Sequence, residues 1–476
     1  MLALVIGQPT AAAPAAPVAP FGLRVVDDQT GRGVPLVEVR TVHERRWVTD
    51  SAGWVAISDP ELMGQHAFLQ FTSHGYEFAK DGFGYHGQAV DIKPGGRVTV
   101  KIKRLNLAER LYRLTGAGIY ADSVALGEPV PIAQPLINSG VLGQDSQVPA
   151  VYRGKVYWFW GDTNRIGYPL GNFNTTGATS ELPGKGGLAS DVGVNYTYFD
   201  DGKGFVKAMC PIEGPGGPVW LDSVVALPDA TGRERLICCY SKVDPNMAPK
   251  VIGVGLWNDE KTMFEPVTRW EPNIPWRPFG QPYVRDGFCY FGAPWPVLRC
   301  PATVESACRL DSYEAYLPGA GGYAWRPAAK PITQAREAEL VKKGELPADQ
   351  ARFDVRDPEG KPVTIHAGTV RYNAYLKQWV MIGVQQYGGP SFLGEVWYAS
   401  APEPTGPWKT VRKIVTHDKY SFYNPRQDEF LDSDGGRYIY FEGTYATTFS
   451  RPDNPTPRYD YNQMMYRLDL AAMAGR

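Results

Sequence analysis

Residues 154–163 read GKVYWFWGDT. A turn residue, a run of apolar and aromatic residues and then Gly-Asp-Thr describe a buried strand that ends abruptly in polar groups. The outline recurs as RERLICCYSK (233–242), DGFCYFGAPW (286–295), LKQWVMIGVQ (376–385) and GRYIYFEGTY (436–445). A shorter strand-like segment precedes each: DSQVPAVY, DSVVALPD, GQPYVR, HAGTVRYN and PRQDEFLD. In four repeats a further strand follows, as in VGVNYTYFDDGKGF and GEVWYASAPEPTGPWKTV; for the third repeat SYEAYLPGAGGYAWRP is the best match. Repeated antiparallel units of four strands mark a β-propeller, because one unit cannot bury both its faces and must stack in a ring. The repeats therefore predict an all-β chain with a five-bladed β-propeller over residues 131–476. Residues 334–350 read as a helical insertion between the third and fourth units.

The chain has 476 residues, enough for two or three domains, with 52 Gly, 41 Pro, 27 Tyr and 13 Trp. Turn formers and aromatics in that number favour strands over helices. The net charge of −1 and the lack of a basic cluster argue against a nucleic-acid partner. No run of 18 apolar residues is present, so no membrane-spanning helix is expected. Residues 1–20 join a short apolar run to an Ala/Pro tract without a basic leader, and read as a secretory signal remnant or a disordered tail. The first reading implies a secreted or periplasmic protein. Cys300 and Cys308 are spaced to close a short loop in an oxidising compartment. No Cys-x-x-Cys pair is present, and P-loop, zincin, dinucleotide and nucleophile-elbow motifs are missing.

Residues 21–105 differ from the rest. FGLRVVDDQTGRGVPLVEVRTV, WVTDSAGWVAI, HAFLQFTSHGY and RVTVKIKRL are short strands between turns, which predicts a small β-sandwich. The pattern of Asp, Thr-Gly and Gly-Val-Pro, then Thr-Asp and Ala-Gly-Trp, resembles transthyretin-like domains and implies an accessory rather than a catalytic role. Residues 106–130 read as a connector with a short helix.

In a propeller the first strand of each blade starts at one mouth of the central channel. Aligning the repeats puts Asp145, Asp222, Gln281 and His366 there in the first four units, and Asn424, Gln427 and Asp428 in the fifth. Asp162 follows the end of VYWFW, and an antiparallel hairpin returns it beside Asp145. Two neighbouring acids raise one pKa, which separates an acid from a base; the alternative is that Asp162 caps a turn. Asp145, Asp162, Asp222 and His366 are the catalytic candidates. Trp160, Asn164, Tyr168, Gln281, Asn424, Arg426, Gln427, Asp428 and Glu442 are the substrate contacts expected beside them. Arg426 is suited equally to a substrate anion and to Asp428. The Gly-rich stretch 164–187 reads as a long loop walling the cleft.

GQDS and VYWFWGDTN together resemble the first blade of five-bladed propeller glycosidases, and more narrowly the domain-of-unknown-function 4185 proteins, whose characterised members are endo-D-arabinanases. GEVWYASAPEPTGPWK is similar to an outer-strand motif of arabinanase- and invertase-like propellers. The resemblance implies two acids on the first blade, matching Asp145 and Asp162. Arabinanase and xylosidase propellers use Asp, Asp and Glu from successive blades; Asp145 and Asp222 fit the first two, and the third blade has no Glu at its inner strand. Anhydrogalactosidases use a His as acid, which His366 matches, and Glu395 and Glu442 are further acids. No cofactor is implied; a structural calcium in the channel is compatible with the resemblance. The expected function is glycoside hydrolysis of a polysaccharide or oligosaccharide, with carboxyl separation deciding the stereochemical outcome. A non-catalytic glycan-binding propeller and a polysaccharide lyase are the alternatives.

Overall fold

The computed structural model describes residues 18–327, 329–450, 452 and 461–474. The expected signal segment falls almost wholly outside the described residues. No helix among them is long and apolar enough to cross a membrane. Strands dominate.

Residues 21–104 form two four-stranded sheets. One orders Trp54–Ile57, Phe21–Asp27, Arg97–Arg104 and Tyr76–Glu77; the other orders Arg46–Val48, Glu38–Thr41, His66–Thr72 and Gly87–Asp91. Leu23, Val25, Val39, Phe71 and Val100 enter one shared apolar cluster. Alternation is clear in Glu38–Thr41 and Trp54–Ile57, whereas Phe21–Asp27 is buried at all but one position.

Five antiparallel sheets follow in chain order. The first is Ala150–Tyr152, Lys155–Trp160, Thr176–Glu181 and Thr197–Tyr198. The second is Val219–Pro228, Glu234–Val243, Pro249–Asn258 and Met263–Trp270. The third has five strands: Tyr283–Arg285, Phe288–Phe291, Leu298–Pro301, Glu314–Gly319 and Gly322–Pro327. The fourth is Ile365–Asn373, Gln378–Gln385, Val396–Ala401 and Lys409–Val415. The fifth is Ser421–Gln427, Tyr438–Ala446, Asn462–Asp469 and, from far upstream, Glu109–Arg113. Each repeated segment is the second strand of its sheet. The insertion after the third sheet carries the helix Gln334–Lys342.

The run VYWFW is apolar throughout because both of its faces are covered. Phe159 packs with Leu236, Tyr240 and Trp257 of the second sheet. Val156, Trp158 and Trp160 point the other way, into a cluster with Tyr112, Tyr440 and Met465 of the fifth. The same sharing joins second to third sheet through Ile237, Cys239, Phe291 and Leu298. It joins third to fourth through Tyr283, Trp295, Met381 and Trp397, and fourth to fifth through Ile382, Tyr398, Phe441 and Tyr466. Every sheet thus shares a core with the next, and the fifth shares one with the first.

Four expectations change. Residues 164–187 are not an open loop: Thr163–Arg165 pairs with Val141–Gln144 on one side and with Tyr168–Asn172 on the other in a small sheet, and Thr176–Glu181 is the third strand of the first sheet. In the third sheet Leu298–Pro301 takes the place expected for 312–327. The segment read as a connector supplies Glu109–Arg113, which pairs with Asn462–Asp469. Cys300 and Cys308 are free thiols, so the expected bridge is not formed. Leu111, fully buried in the tying strand, gives a direct test of that closure. Leu111→Ala is expected to cost about 2–5 kcal/mol of stability, read by chemical denaturation; an unchanged midpoint contradicts the packing.

Candidate active site

The first strands of the second and fifth sheets, and the segment leading into the first strand of the first sheet, share an irregularity. Ser146, Ser223 and Asn424 adopt φ of 51°, 53° and 51°. The pairing register shifts at Asp222/Val225 and at Tyr423/Arg426. A left-handed residue at a bulge re-aims the side chain beside it; the residues so placed are Asp145, Asp222 and Tyr423. The hairpin of the first sheet completes the site. The Gly161 N–H donates to the Asp145 carbonyl at 2.8 Å, and the Asp145 N–H to the Asp162 carbonyl at 3.2 Å. The Asp162 N–H donates to Asp145 Oδ1 at 2.7 Å. A Cβ at position 161 would lie 2.4 Å from that same oxygen, so the Gly of WGDT admits the carboxylate.

The two acids sit in unlike surroundings. Asp145 accepts from the Asp162 N–H, from Tyr423 Oη at 2.8 Å and from Ser146 Oγ at 3.3 Å. Burial raises its pKa, and these three donors oppose the rise. Asp162 has a buried Oδ1 with no hydrogen-bond partner. Burial first, and the Asp145 charge second, push its carboxyl up to about 7, with the nearby Trp220 indole pulling slightly the other way. Of the two, Asp162 is the carboxyl that lacks a donor and that its surroundings push furthest toward the neutral acid at neutral pH.

Asp222 lies at the equivalent place in the second sheet. Its Oδ2 pairs with Arg277 at 2.8 Å and its Oδ1 accepts from Ser223 Oγ at 2.8 Å. The Trp220 Nε1–H donates to the Phe173 carbonyl at 3.0 Å. Asn424 donates to Ser146 Oγ at 2.9 Å, which places it beside the pair. Asn164 is half-buried in the strand after Asp162. Exposed Tyr168 pairs with Arg165 and stacks on its guanidinium at 5.5 Å. His366 is exposed at a bulge of the fourth sheet, and partial burial of its ring lowers its pKa. It makes no hydrogen bond to either acid among the described residues.

Several expected substrate contacts are instead internal. Trp160 is fully buried, its indole donating to Gln147 Oε1 at 3.2 Å; strand alternation directs it into the core between sheets. Arg426, also buried, pairs with Asp428 at 2.7 Å and donates to Gln281 Oε1, tying the fifth sheet to the third. Gln427 is buried and donates to Asp432 Oδ2 at 2.9 Å. Burial raises Asp428, against the pull of Arg426. Glu442 is fully buried opposite Arg426, with no partner for either carboxyl oxygen. Glu395, the other extra acid, is buried against Lys413 and Thr416 Oγ1 at 2.8 and 2.6 Å. Trp160, Arg426, Gln427, Asp428 and Glu395 thus have partners within the protein, whereas Glu442 has none for its carboxyl.

Burial, then the charge of Asp428, raises the Glu442 pKa. A carboxyl raised in the fold contributes stability that is present below its unfolded pKa and lost as pH rises. Glu442→Gln is therefore expected to match the parent near pH 4 and to be more stable at pH 8. Denaturation at the two pH values checks this; equal destabilisation at both contradicts it.

The described residues contain no group of three or more His, Cys, Asp or Glu side chains placed to hold a metal. The Arg426 and Arg371 guanidiniums meet at Gln281 instead, Arg371 donating to its carbonyl at 3.3 Å. Two fixed cations do not suit a calcium there. Trp220, Arg277 and Tyr423 are site neighbours that the repeat alignment missed. Trp220 lay in view, two residues before Asp222 on the same strand face.

No protein-family model matches the chain, and no curated protein sequence is similar to it. Solved structures resemble it distantly. One is an exo-β-1,3-galactanase from Phanerochaete chrysosporium, at 11% identity and a TM-score of 0.39; the match covers 77% of this chain and 65% of that one. Another is an α-L-arabinofuranosidase from Clostridium thermocellum, at 14% identity and a TM-score of 0.34, covering 69% and 91%. A third is a β-xylosidase/α-arabinofuranosidase from a compost metagenome, at 14% and 0.34, covering 69% and 92%. The chain thus spans just under two thirds of the length of the galactanase.

Proposed function

We propose that the five sheets are the blades of a five-bladed β-propeller over residues 131–476, preceded by a β-sandwich over 21–105, and that the protein is a glycoside hydrolase of polysaccharides or oligosaccharides. The cyclic sharing of cores supports the architecture. The observation that carries the function is the division of labour within one carboxyl pair. Asp145 is held by three donors, whereas its neighbour Asp162 has a buried oxygen without one and keeps its proton to about pH 7. Glycoside hydrolysis needs a carboxylate and a carboxylic acid at one bond.

Asp162 gives its proton to the glycosidic oxygen as the bond from that oxygen to the anomeric carbon breaks. Asp145 attacks the anomeric carbon or takes a proton from the water that does. Tyr423 and Ser146 orient Asp145 and favour its ionised form against the opposing effect of burial. Asp222, fixed by Arg277, accepts a substrate hydroxyl, and His366 is a further contact across the mouth. The test is reducing-end release from a panel of plant, algal and mycobacterial glycans, wild type beside Asp145→Asn. Release that vanishes in a folded variant supports the reading. Binding without release by wild type moves it to a glycan-binding protein, and an unsaturated, ultraviolet-absorbing product moves it to a lyase.

A further inference from the structure

The carboxyl pair has aromatic residues on both of its flanks. The first sheet, which carries the pair, shares one core with the second sheet and another with the fifth. On the second-sheet side, Trp220 is half-buried, reaches Asp162 and donates to the backbone of exposed Phe173. On the fifth-sheet side, Tyr423 binds Asp145, and Phe449 packs edge-on against Tyr423 with ring centroids 5.6 Å apart. Phe449 is 58% exposed and sits at φ of 62°. A bulky residue with positive φ is a backbone outlier, and such strain gathers at ligand sites. The equivalent turn of the fourth sheet repeats it: Tyr387 is 71% exposed at φ of 59°. Neither ring is needed by a core, and a Gly or Asn would fit either turn with less strain.

From this geometry we infer that Trp220 and Phe449 are stacking platforms for sugar rings on opposite sides of the carboxyl pair. The ligand is therefore a glycan chain that continues in both directions past the acids. An aromatic face takes the C–H face of a sugar ring, and a flanking carboxyl takes its hydroxyls. A ligand that ended at the acids would leave one platform bare. The inference rests on the proposed carbohydrate site but not on its being hydrolytic.

The test is binding in the Asp145→Asn background, where any hydrolysis is suppressed. Affinity electrophoresis in gels containing soluble arabinan, xylan or galactan gives the dissociation constants. Trp220→Ala and Phe449→Ala are each expected to weaken binding of the retained polymer about tenfold. Phe83→Ala, which removes an exposed ring from the N-terminal sheets (91% exposed), serves as control and is expected to change nothing. Phe449→Tyr is expected to restore most of the affinity, since the flat face is kept. Polymer binding that survives both alanine substitutions within twofold overturns the inference while leaving the hydrolase reading intact. Tenfold losses in a protein that releases no reducing ends support the inference and overturn the hydrolase. A protein retained by none of the three polymers overturns the inference, and reducing-end release from the wider panel then judges the hydrolase separately.

Discussion

Asp162→Asn loses activity and gains stability. As general acid, Asp162 is expected to contribute on the order of 10²–10⁴-fold in rate, so the variant loses that factor on polysaccharide. The loss is far smaller on a dinitrophenyl glycoside of the released sugar, because that leaving group departs without protonation. In wild type the rate falls as pH rises through about 7, where Asp162 ionises; the variant lacks this alkaline limb. Stability moves oppositely. The folded pKa lies above the ordinary 3.8, so the stabilisation by its proton is complete below that value and is lost between about pH 4 and pH 7. At pH 8 wild type holds an ionised carboxyl beside Asp145, and the neutral amide does not. Asp162→Asn therefore unfolds at a higher temperature than wild type at pH 8 and at a similar one near pH 4. A site strained for function that relaxes on substitution is a familiar trade. Equal losses on both substrates, or lower stability at pH 8, contradict the role.

Asp145→Asn removes the carboxylate that attacks or activates water. The expected loss is roughly 10⁴-fold, the upper end for a positioned base, and it falls equally on polysaccharide and on the activated aryl glycoside. Binding is expected to change far less than rate, although the one amide oxygen replaces only one carboxylate oxygen: it accepts either from Tyr423 and Ser146, as Oδ2 does, or from the Asp162 N–H, as Oδ1 does. A loss confined to KM would make Asp145 a hydroxyl acceptor and nothing more. Rates of the two substrates in the two variants thus separate acid from base.

The second strands were legible because two covered faces leave a run with no polar member, as VYWFW and the run Trp379–Val384 display. Strands that bury polar groups were not. Thr176–Glu181 reads as loop, yet Thr176 is buried in hydrogen bonds to Gln144 and Thr163. Glu109–Arg113 carries three charges and still lies inside, because Glu109 meets Arg467 at 2.6 Å and the strand closes against residues some 350 positions away. Within the site, Asp145 and Asp162 were legible as neighbours because one hairpin carries both. Tyr423 and Trp220 reach the pair from other sheets, and Arg277 reaches Asp222 from a loop; no local pattern encodes these placements. Trp160 misled because an aromatic at a strand end serves equally as a platform or as core, and alternation along that strand turns it inward. The polar stretch around Arg426 leaves two partners open in sequence, a substrate anion and Asp428, and in the fold Arg426 pairs with Asp428 at 2.7 Å.

The account stands on how Asp145 and Asp162 divide one proton. The measurement that reaches this most directly is the carboxyl carbon titration of Asp162 by NMR, assigned by difference against Asp162→Asn and repeated in Asp145→Asn. The account predicts a transition near pH 7 that moves toward acid when the Asp145 charge is removed. A transition near the ordinary aspartate value in both proteins would contradict it.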